Sequence, residues 1–201
     1  MEAIRHLVGA RQKTFAGILP SLFNTRGVMD GAKSMERRTT IAAVQLALVQ
    51  VRQEHGLPEN TPILVLGGRG FVGSGLMEVV AGQEHYYALD IGEQKRFFSL
   101  RERYENKPLI VLNLTKKSAV LEYTPYFWSG VLLINEVYPE PGKVEVEKLK
   151  AKGVVCYHIV GVRAKAFPPF PRGYQGGIPC CASFLPDNEG DGSFEVIVRK
   201  I

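Results

Sequence analysis

The sequence predicts one α/β domain, built on a doubly wound and mostly parallel sheet and preceded by a short helical arm. Three observations support this prediction: apolar runs of strand length alternate with helical segments, a glycine-rich turn follows the first such run, and an acid ends the second. Strands that helices cover on both faces are typically near-continuous apolar runs. We expect the arm over residues 1–33 and the domain over residues 34–201.

The length and composition of the chain fit a single domain. With 201 residues, of which 45% are hydrophobic, the chain can bury a sizeable core but is short for two full domains. In the arm, short apolar pieces are broken by Pro20, Gly27 and Gly31. These breaks predict a short helix and a loop.

A long helix is predicted over residues 34–55. Ser34 is suited to cap its first turn, because its hydroxyl can accept a hydrogen bond from a free backbone N–H group. Apolar residues then recur at helical spacing, at Ile41, Val44, Leu48 and Val51. Gly56 and Pro58 end the helix and lead into the first strand.

A glycine-rich turn follows the first predicted strand, which begins at Ile63. Gly68, Gly70 and Gly73 fit the dinucleotide-binding pattern G-x-G-x-x-G, in which glycines permit a tight turn and a close approach to a pyrophosphate. Gly67, Gly70 and Gly73 also fit the spacing G-x-x-G-x-x-G. The predicted cofactor contacts are Gly67, Gly68, Arg69, Gly70, Phe71, Val72 and Gly73.

The second predicted strand, over residues 85–90, ends in Asp90, about 17 residues beyond Gly73. A carboxylate at this point is suited to bind the ribose hydroxyl groups of a dinucleotide. Because it should repel a 2′-phosphate, it favours NAD. NADP remains possible, since Lys95 and Arg96 follow closely.

The rest of the chain continues the alternation of strands and helices. We predict strands over 109–114, 130–137 and 153–160, helices over 118–127 and 144–152, and a last edge strand over 194–198. Ligands of open α/β sheets bind beyond the carboxyl ends of the strands. The strand ends therefore supply further candidates for cofactor contact, namely Asn113, Thr115, Asn135 and Glu136.

No catalytic triad, metal set or carboxylate pair is evident, so the catalytic candidates are individual residues. His158 has the right chemistry for proton transfer, although a histidine within a strand is more often structural. Cys180 and Tyr174 lie in a loop rich in glycine and proline, together with Cys181 and Arg172. For each, packing within the loop is the alternative interpretation.

Several classes of function are disfavoured by composition. The net charge of +5 is modest and the basic residues are scattered, so nucleic-acid binding is not expected. No run of about 18 apolar residues occurs, and we expect neither a membrane span nor a secretory signal. The three cysteines lack metal-ligand spacing, which favours reduced thiols and a cytoplasmic location. The short chain and the long helix suggest a homo-oligomer.

Residues 34–90 resemble the NAD(P)-binding Rossmann domain of amino-acid and shikimate-type dehydrogenases, in which a long helix also precedes the first strand. The turn GGRGFVGSGL also looks like that of extended short-chain dehydrogenases. The chain departs from the latter because no tyrosine is followed four residues later by lysine. It departs from the former because about sixty residues upstream of the strand are too few for a full substrate domain.

The resemblance implies a cofactor but no particular substrate. The leading hypothesis is an NAD(P)-dependent oxidoreductase, or the cofactor-binding half of one, that acts on a small polar metabolite. The alternative is a non-catalytic dinucleotide-binding module that senses redox state or regulates a partner. An S-adenosylmethionine-dependent methyltransferase is a third, less favoured hypothesis, since that cofactor also uses a glycine turn and an acid.

Overall fold

A computed structural model describes residues 14, 16–17, 19–164, 170, 174, 177–183, 185 and 194–201. Its strands are β1 (Ile63–Leu66), β2 (Tyr86–Leu89), β3 (Leu109–Asn113), β4 (Val131–Asn135), β5 (Val155–Val162) and β6 (Val196–Lys200). Its α-helices are α1 (Leu19–Thr25), α2 (Met35–Glu54), α3 (Phe71–Val79), α4 (Gln94–Tyr104), α5 (Lys117–Tyr123) and α6 (Lys143–Lys150). The predicted α/β class is confirmed.

The six strands form one sheet in the order β2-β1-β3-β4-β5-β6. Strands β1 to β5 are parallel, and β6 pairs antiparallel with β5 at the edge. Because β2 and β3 lie on opposite sides of β1, the chain reverses its direction across the sheet at β1. In open α/β sheets, the crevice at such a reversal point is the usual place for a ligand.

Helices cover both faces of the sheet, as the predicted doubly wound fold requires. On one face, apolar residues of α2 and α3 pack against β1, β3, β4 and β5. On the other face, α4, α5 and α6 pack against the opposite side chains of the same strands. Strands β1, β3 and β4 are buried along their whole length, which explains their near-continuous apolar sequences.

Helix α2 is fixed at both of its ends. At the start, the Ser34 hydroxyl accepts a hydrogen bond from the backbone N–H of Arg37 at 3.2 Å, as predicted for the cap. At the end, the Tyr157 hydroxyl of β5 donates to Glu54 at 2.6 Å and lies 2.7 Å from Nε2 of His55. The helix therefore crosses the face of the sheet with its N-terminus held in a defined position.

No helix in the described part of the chain is long and apolar enough to cross a membrane.

Candidate functional site

A cavity of about 740 Å³ lies at the carboxyl ends of the parallel strands. It extends from the glycine turn, across the ends of β3 and β4, to the segment around Cys180. We call the part lined by Gly67, Gly70, Phe71, Val72 and Asp90 the turn end. We call the part lined by Glu36, Glu136, Tyr138, Tyr174, Cys180 and Cys181 the acidic end. The position matches that of ligand sites in open α/β sheets.

The glycines of the turn are required by close approaches of the backbone. Gly67 has a φ of 87°, a conformation that L side chains rarely adopt. A Cβ atom on Gly73 would lie 2.0 Å from the carbonyl oxygen of Gly67, and one on Gly68 would lie 2.4 Å from Cβ of Ala88. The first approach packs α3 against the residue after β1, and the second packs the turn against β2. The spacing of the glycines is thus explained by packing as well as by ligand binding.

Gly70 differs from the other glycines of the turn because it is not enclosed by protein. A Cβ atom there would meet only the carbonyl oxygen of Gly67, at 3.1 Å. Gly70 is the N-cap of α3, no side chain caps this helix, and Phe71 and Val72 of its first turn line the cavity. An uncapped helix start favours anionic groups through its N–H groups and dipole. The turn end therefore fits a pyrophosphate.

Asp90 lies at the opposite side of the turn end, directly after β2, as the sequence predicts. Its carboxylate accepts a hydrogen bond from the backbone N–H of Arg69 at 3.3 Å and pairs with the Arg69 guanidinium at 3.2 Å. Glu93 also pairs with Arg69, and it pairs with Arg96 at 3.0 Å. Hydrogen bonds from the backbone N–H of Asp90 and from these arginines lower the pKa of Glu93. Asp90 lines the cavity, and any ligand that binds its carboxylate would compete with Arg69.

The strand-end candidates divide into two groups. Thr115 lines the cavity, whereas Asn113 and Asn135 do not. The Asn113 side-chain amide donates to the Asn135 side-chain oxygen at 2.8 Å, and both residues are fully buried. Asn135 also donates to the carbonyl oxygen of Val137 at 2.6 Å. The two asparagines thus tie β3 to β4 and form part of the floor beneath the cavity.

His158 continues this hydrogen-bonded row onto β5. Its Nδ1 lies 3.0 Å from the carbonyl oxygen of Asn135 and 3.1 Å from the Asn135 side-chain amide. Asn113, Asn135 and His158 are adjacent in the register of the parallel strands. Burial lowers the pKa of His158, so its ring is largely neutral at neutral pH. The histidine lines the cavity, but one of its nitrogens is engaged in the row.

Glu136 directly follows β4, is half-buried and lines the cavity. Its backbone N–H donates to the carbonyl oxygen of Asn113 at 3.1 Å, which fixes its position. Desolvation raises the pKa of Glu136 to about 7, and no described residue donates a hydrogen bond to its carboxyl group. The carboxyl group therefore exchanges a proton near neutral pH inside a ligand-sized cavity.

The other catalytic candidates lie at the acidic end. Burial, followed by the nearby charge of Glu136, raises the pKa of Cys180, and burial also raises the pKa of Cys181. Both thiols are therefore protonated and weakly nucleophilic near neutral pH. The ring of Tyr174 stacks on that of Tyr138, with centroids 5.7 Å apart and planes inclined by 22°. Arg172 lies outside the described residues.

Several residues that line the cavity had no functional signal in the sequence. Glu36 and Thr40 come from the first turns of α2, and Pro20 and Ser21 come from α1. The sequence indicates only that Glu36 begins a helix. Nothing in the pattern places the arm against the carboxyl ends of strands that follow much later in the chain.

In the described part of the chain, no cluster of three or more His, Cys, Asp or Glu side chains could hold a metal ion.

No protein-family model matches the chain, and a search of curated proteins finds no match either.

Proposed function

We propose that this protein is an NAD(P)-dependent oxidoreductase, or the cofactor-binding half of one, that acts on a small polar metabolite. One observation supports this most directly: the uncapped start of α3 and the carboxylate of Asp90 open into the same cavity. This is the pairing that a dinucleotide needs for its pyrophosphate and its ribose. The cavity continues beyond them to Glu136, which leaves room for a substrate.

Each part of the dinucleotide has residues suited to it. The backbone of the turn, above all at Gly70, would hold the pyrophosphate, and Asp90 would hold a ribose. Thr115 lies between the turn and Glu136 along the cavity, on the side expected for the nicotinamide. When bound, the nicotinamide supplies hydride transfer, while the protein orients it and excludes water. NAD is the preferred form because Asp90 disfavours a 2′-phosphate.

A non-catalytic dinucleotide-binding module is the second candidate, and the state of the catalytic candidates favours it. The thiols of Cys180 and Cys181 are protonated, and Nδ1 of His158 is engaged by Asn135. A sensor or regulator would need the turn end alone. The methyltransferase hypothesis depends on the same glycine turn and on Asp90. Binding of S-adenosylmethionine rather than of a nicotinamide dinucleotide would distinguish it from the other two.

The test is thermal unfolding with NADH, NADPH or S-adenosylmethionine in the wild type and in Gly70→Ala. A ligand at 100 times its dissociation constant should stabilise the fold by about 2.7 kcal/mol. The added methyl group meets little protein but occupies the space where the pyrophosphate would lie. We expect Gly70→Ala to fold normally and to lose at least tenfold in affinity for NADH.

Gly142→Ala is the matched control. Gly142 is the N-cap of α6, and its backbone angles, φ −71° and ψ 162°, are close to the −72° and 176° of Gly70. It does not line the cavity. Equal loss of NADH binding in both variants, or no stabilisation by either nicotinamide dinucleotide, would refute the proposal. Stabilisation by S-adenosylmethionine alone would favour the methyltransferase, and dinucleotide binding without turnover of any alcohol, carbonyl or amine would favour the sensor.

A further inference from the structure

The ionisable side chains that line the cavity include several carboxylates. Three carboxylates line it, those of Glu36, Asp90 and Glu136, and no lysine or arginine does so among the residues that the structure describes. Asp90 is already paired with Arg69 at the turn end. Glu136 belongs to the acidic end, and its charge, when it is ionised, makes the potential there more negative. A ligand that carries a carboxylate would be repelled there, and a cation would be attracted.

The carboxyl group of Glu136 would be stabilised in its charged form by a cationic ligand. A charged carboxylate that is removed from water without a partner is costly, and in Glu136 no described residue offsets this cost. A protonated amine can supply both the missing charge and up to three hydrogen-bond donors. The main chain of Glu136 is held at the end of β4 by its hydrogen bond to Asn113, and the residue lines the cavity.

An aromatic pair lies at the same end of the cavity. The stacked rings of Tyr138 and Tyr174 both line it. Burial is the main cause of the raised pKa of Tyr174, and the charge of Glu136 is close enough to make the smallest of the contributions. Aromatic faces attract ammonium groups through their quadrupoles. A carboxylate beside aromatic rings is a combination suited to a cation, and it is independent of the glycine turn.

We infer that the acidic end binds the protonated amine of a small substrate, with Glu136 as the counter-ion and the Tyr138–Tyr174 pair as an aromatic wall. The identification of this amine as the substrate rests on the proposed oxidoreductase function. The amine site itself does not, because its residues are separate from those of the turn end. The substrate class is thus a small primary amine rather than a carboxylic acid.

The experiment uses three probes of similar size: butylamine, butan-1-ol and butyrate. Each is titrated into the full-length protein at pH 6 and pH 8, and amide chemical shifts are followed by NMR. Butylamine stays protonated over this range, whereas a carboxyl group with the pKa of Glu136, about 7, goes from mostly neutral to mostly ionised. We expect butylamine to bind about tenfold more tightly at pH 8, butan-1-ol to show no such gain, and butyrate not to bind.

Other titratable groups face Glu136 and must be distinguished from it. They are Glu36 of α2, His158 of β5, and Tyr174, Cys180 and Cys181 of the segment before β6. The pKa of His158 is lowered and the pKa values of the tyrosine and the thiols are raised, which disfavours their charged forms between pH 6 and 8. A substitution at Glu136 alone therefore assigns the pH dependence to its carboxyl group.

Glu136→Gln keeps the shape of the side chain and removes its charge, so it should weaken butylamine binding at pH 8 about tenfold and abolish the pH dependence. Glu59→Gln makes the same change at an exposed position before β1 and should leave both unaltered. Tyr138→Leu, at a residue with 64% exposure, tests the aromatic wall if Glu136→Gln fails to fold. This substitution should lower the affinity for butylamine severalfold and preserve the dependence of that affinity on pH.

The inference is overturned if butyrate binds as tightly as butylamine or if the affinity for butylamine is the same at pH 6 and pH 8. It is also overturned if Glu136→Gln and Glu59→Gln bind butylamine equally. NADH titrations of the same samples separate this result from the proposed function. Butylamine binding without NADH binding would retain the amine site and reject the oxidoreductase. NADH binding without butylamine binding would reject the amine site and retain the proposed dinucleotide site. Gly70→Ala should lose affinity for NADH and keep its affinity for butylamine.

Discussion

The two ends of the cavity are built in different ways. The turn end comes from a short piece of chain, Gly67 to Gly73 with Asp90, and it offers mainly backbone groups and one strand-end carboxylate. The acidic end is assembled from side chains of α2, the residues just after β4 and the segment before β6. A site made by local backbone geometry leaves a spacing in the sequence, whereas a site made by distant side chains leaves none.

The largest expected effect concerns the acidic end and the dependence of stability on pH. In the unfolded chain Glu136 has an ordinary pKa near 4.5, and in the fold it is about 7. The folded protein therefore binds more protons in this window, and its free energy of unfolding should fall as pH rises from 4.5 to 7. The contribution is roughly 3 kcal/mol.

Urea unfolding between pH 4.5 and 8 measures this effect. Glu136→Gln should remove this part of the pH dependence and should be more stable than the wild type at pH 8, while Glu59→Gln should follow the wild type. Identical pH profiles for the wild type and Glu136→Gln would show that the carboxyl group is well solvated. The contrast between the two ends would then lose its electrostatic basis.

A second effect tests the floor that both ends share. In Asn135→Leu, the Asn113 amide loses its shorter hydrogen bond and keeps only the one to the carbonyl oxygen of Lys116 at 3.4 Å, while the carbonyl oxygen of Val137 loses its donor. The loss of these hydrogen bonds should cost about 2 kcal/mol in total. Urea unfolding should show this loss, whereas Asn60→Leu, at an exposed position, should stay within about 0.5 kcal/mol of the wild type.

The smallest effect concerns the choice of dinucleotide at the turn end. Asp90→Ala removes the ribose acceptor and one of the two carboxylates that pair with Arg69, which stays paired with Glu93. NADH affinity should fall about tenfold, or 1.4 kcal/mol, and NADPH affinity should fall less. Isothermal titration of both ligands measures the difference. Glu105→Ala, an exposed acid that pairs with Arg101, is the control, and equal losses for NADH and NADPH in Asp90→Ala would remove the ribose role.

Much of the fold follows from local patterns. The helix predicted over 34–55 is Met35–Glu54, and the apolar runs of β1, β3 and β4 are fully buried strands. The edge strand expected over 194–198 is Val196–Lys200. Its antiparallel sense could not be predicted, because direction depends on the path of the preceding segment rather than on the residues of the strand.

The site was predictable only in part, for a similar reason. The glycines and Asp90 carry their own spacing, but Glu36 and Thr40 reach the cavity through the packing of α2 on the sheet. Asn113 and Asn135 show a subtler limit. Each lies two residues beyond a side chain that faces α4, α5 and α6, namely Val111 and Leu133. Alternation fixes their face of the strand, but only the helix arrangement says which face borders the cavity.

The row of Asn113, Asn135 and His158 has a further consequence, for motion. These side chains cross-link three parallel strands at one edge, directly beneath the cavity. The backbone N–H of Leu114 is also bonded, to the carbonyl oxygen of Leu66 at 2.9 Å. Amides held in this way exchange with solvent only when a large part of the sheet opens. The floor is therefore the rigid part of the cavity.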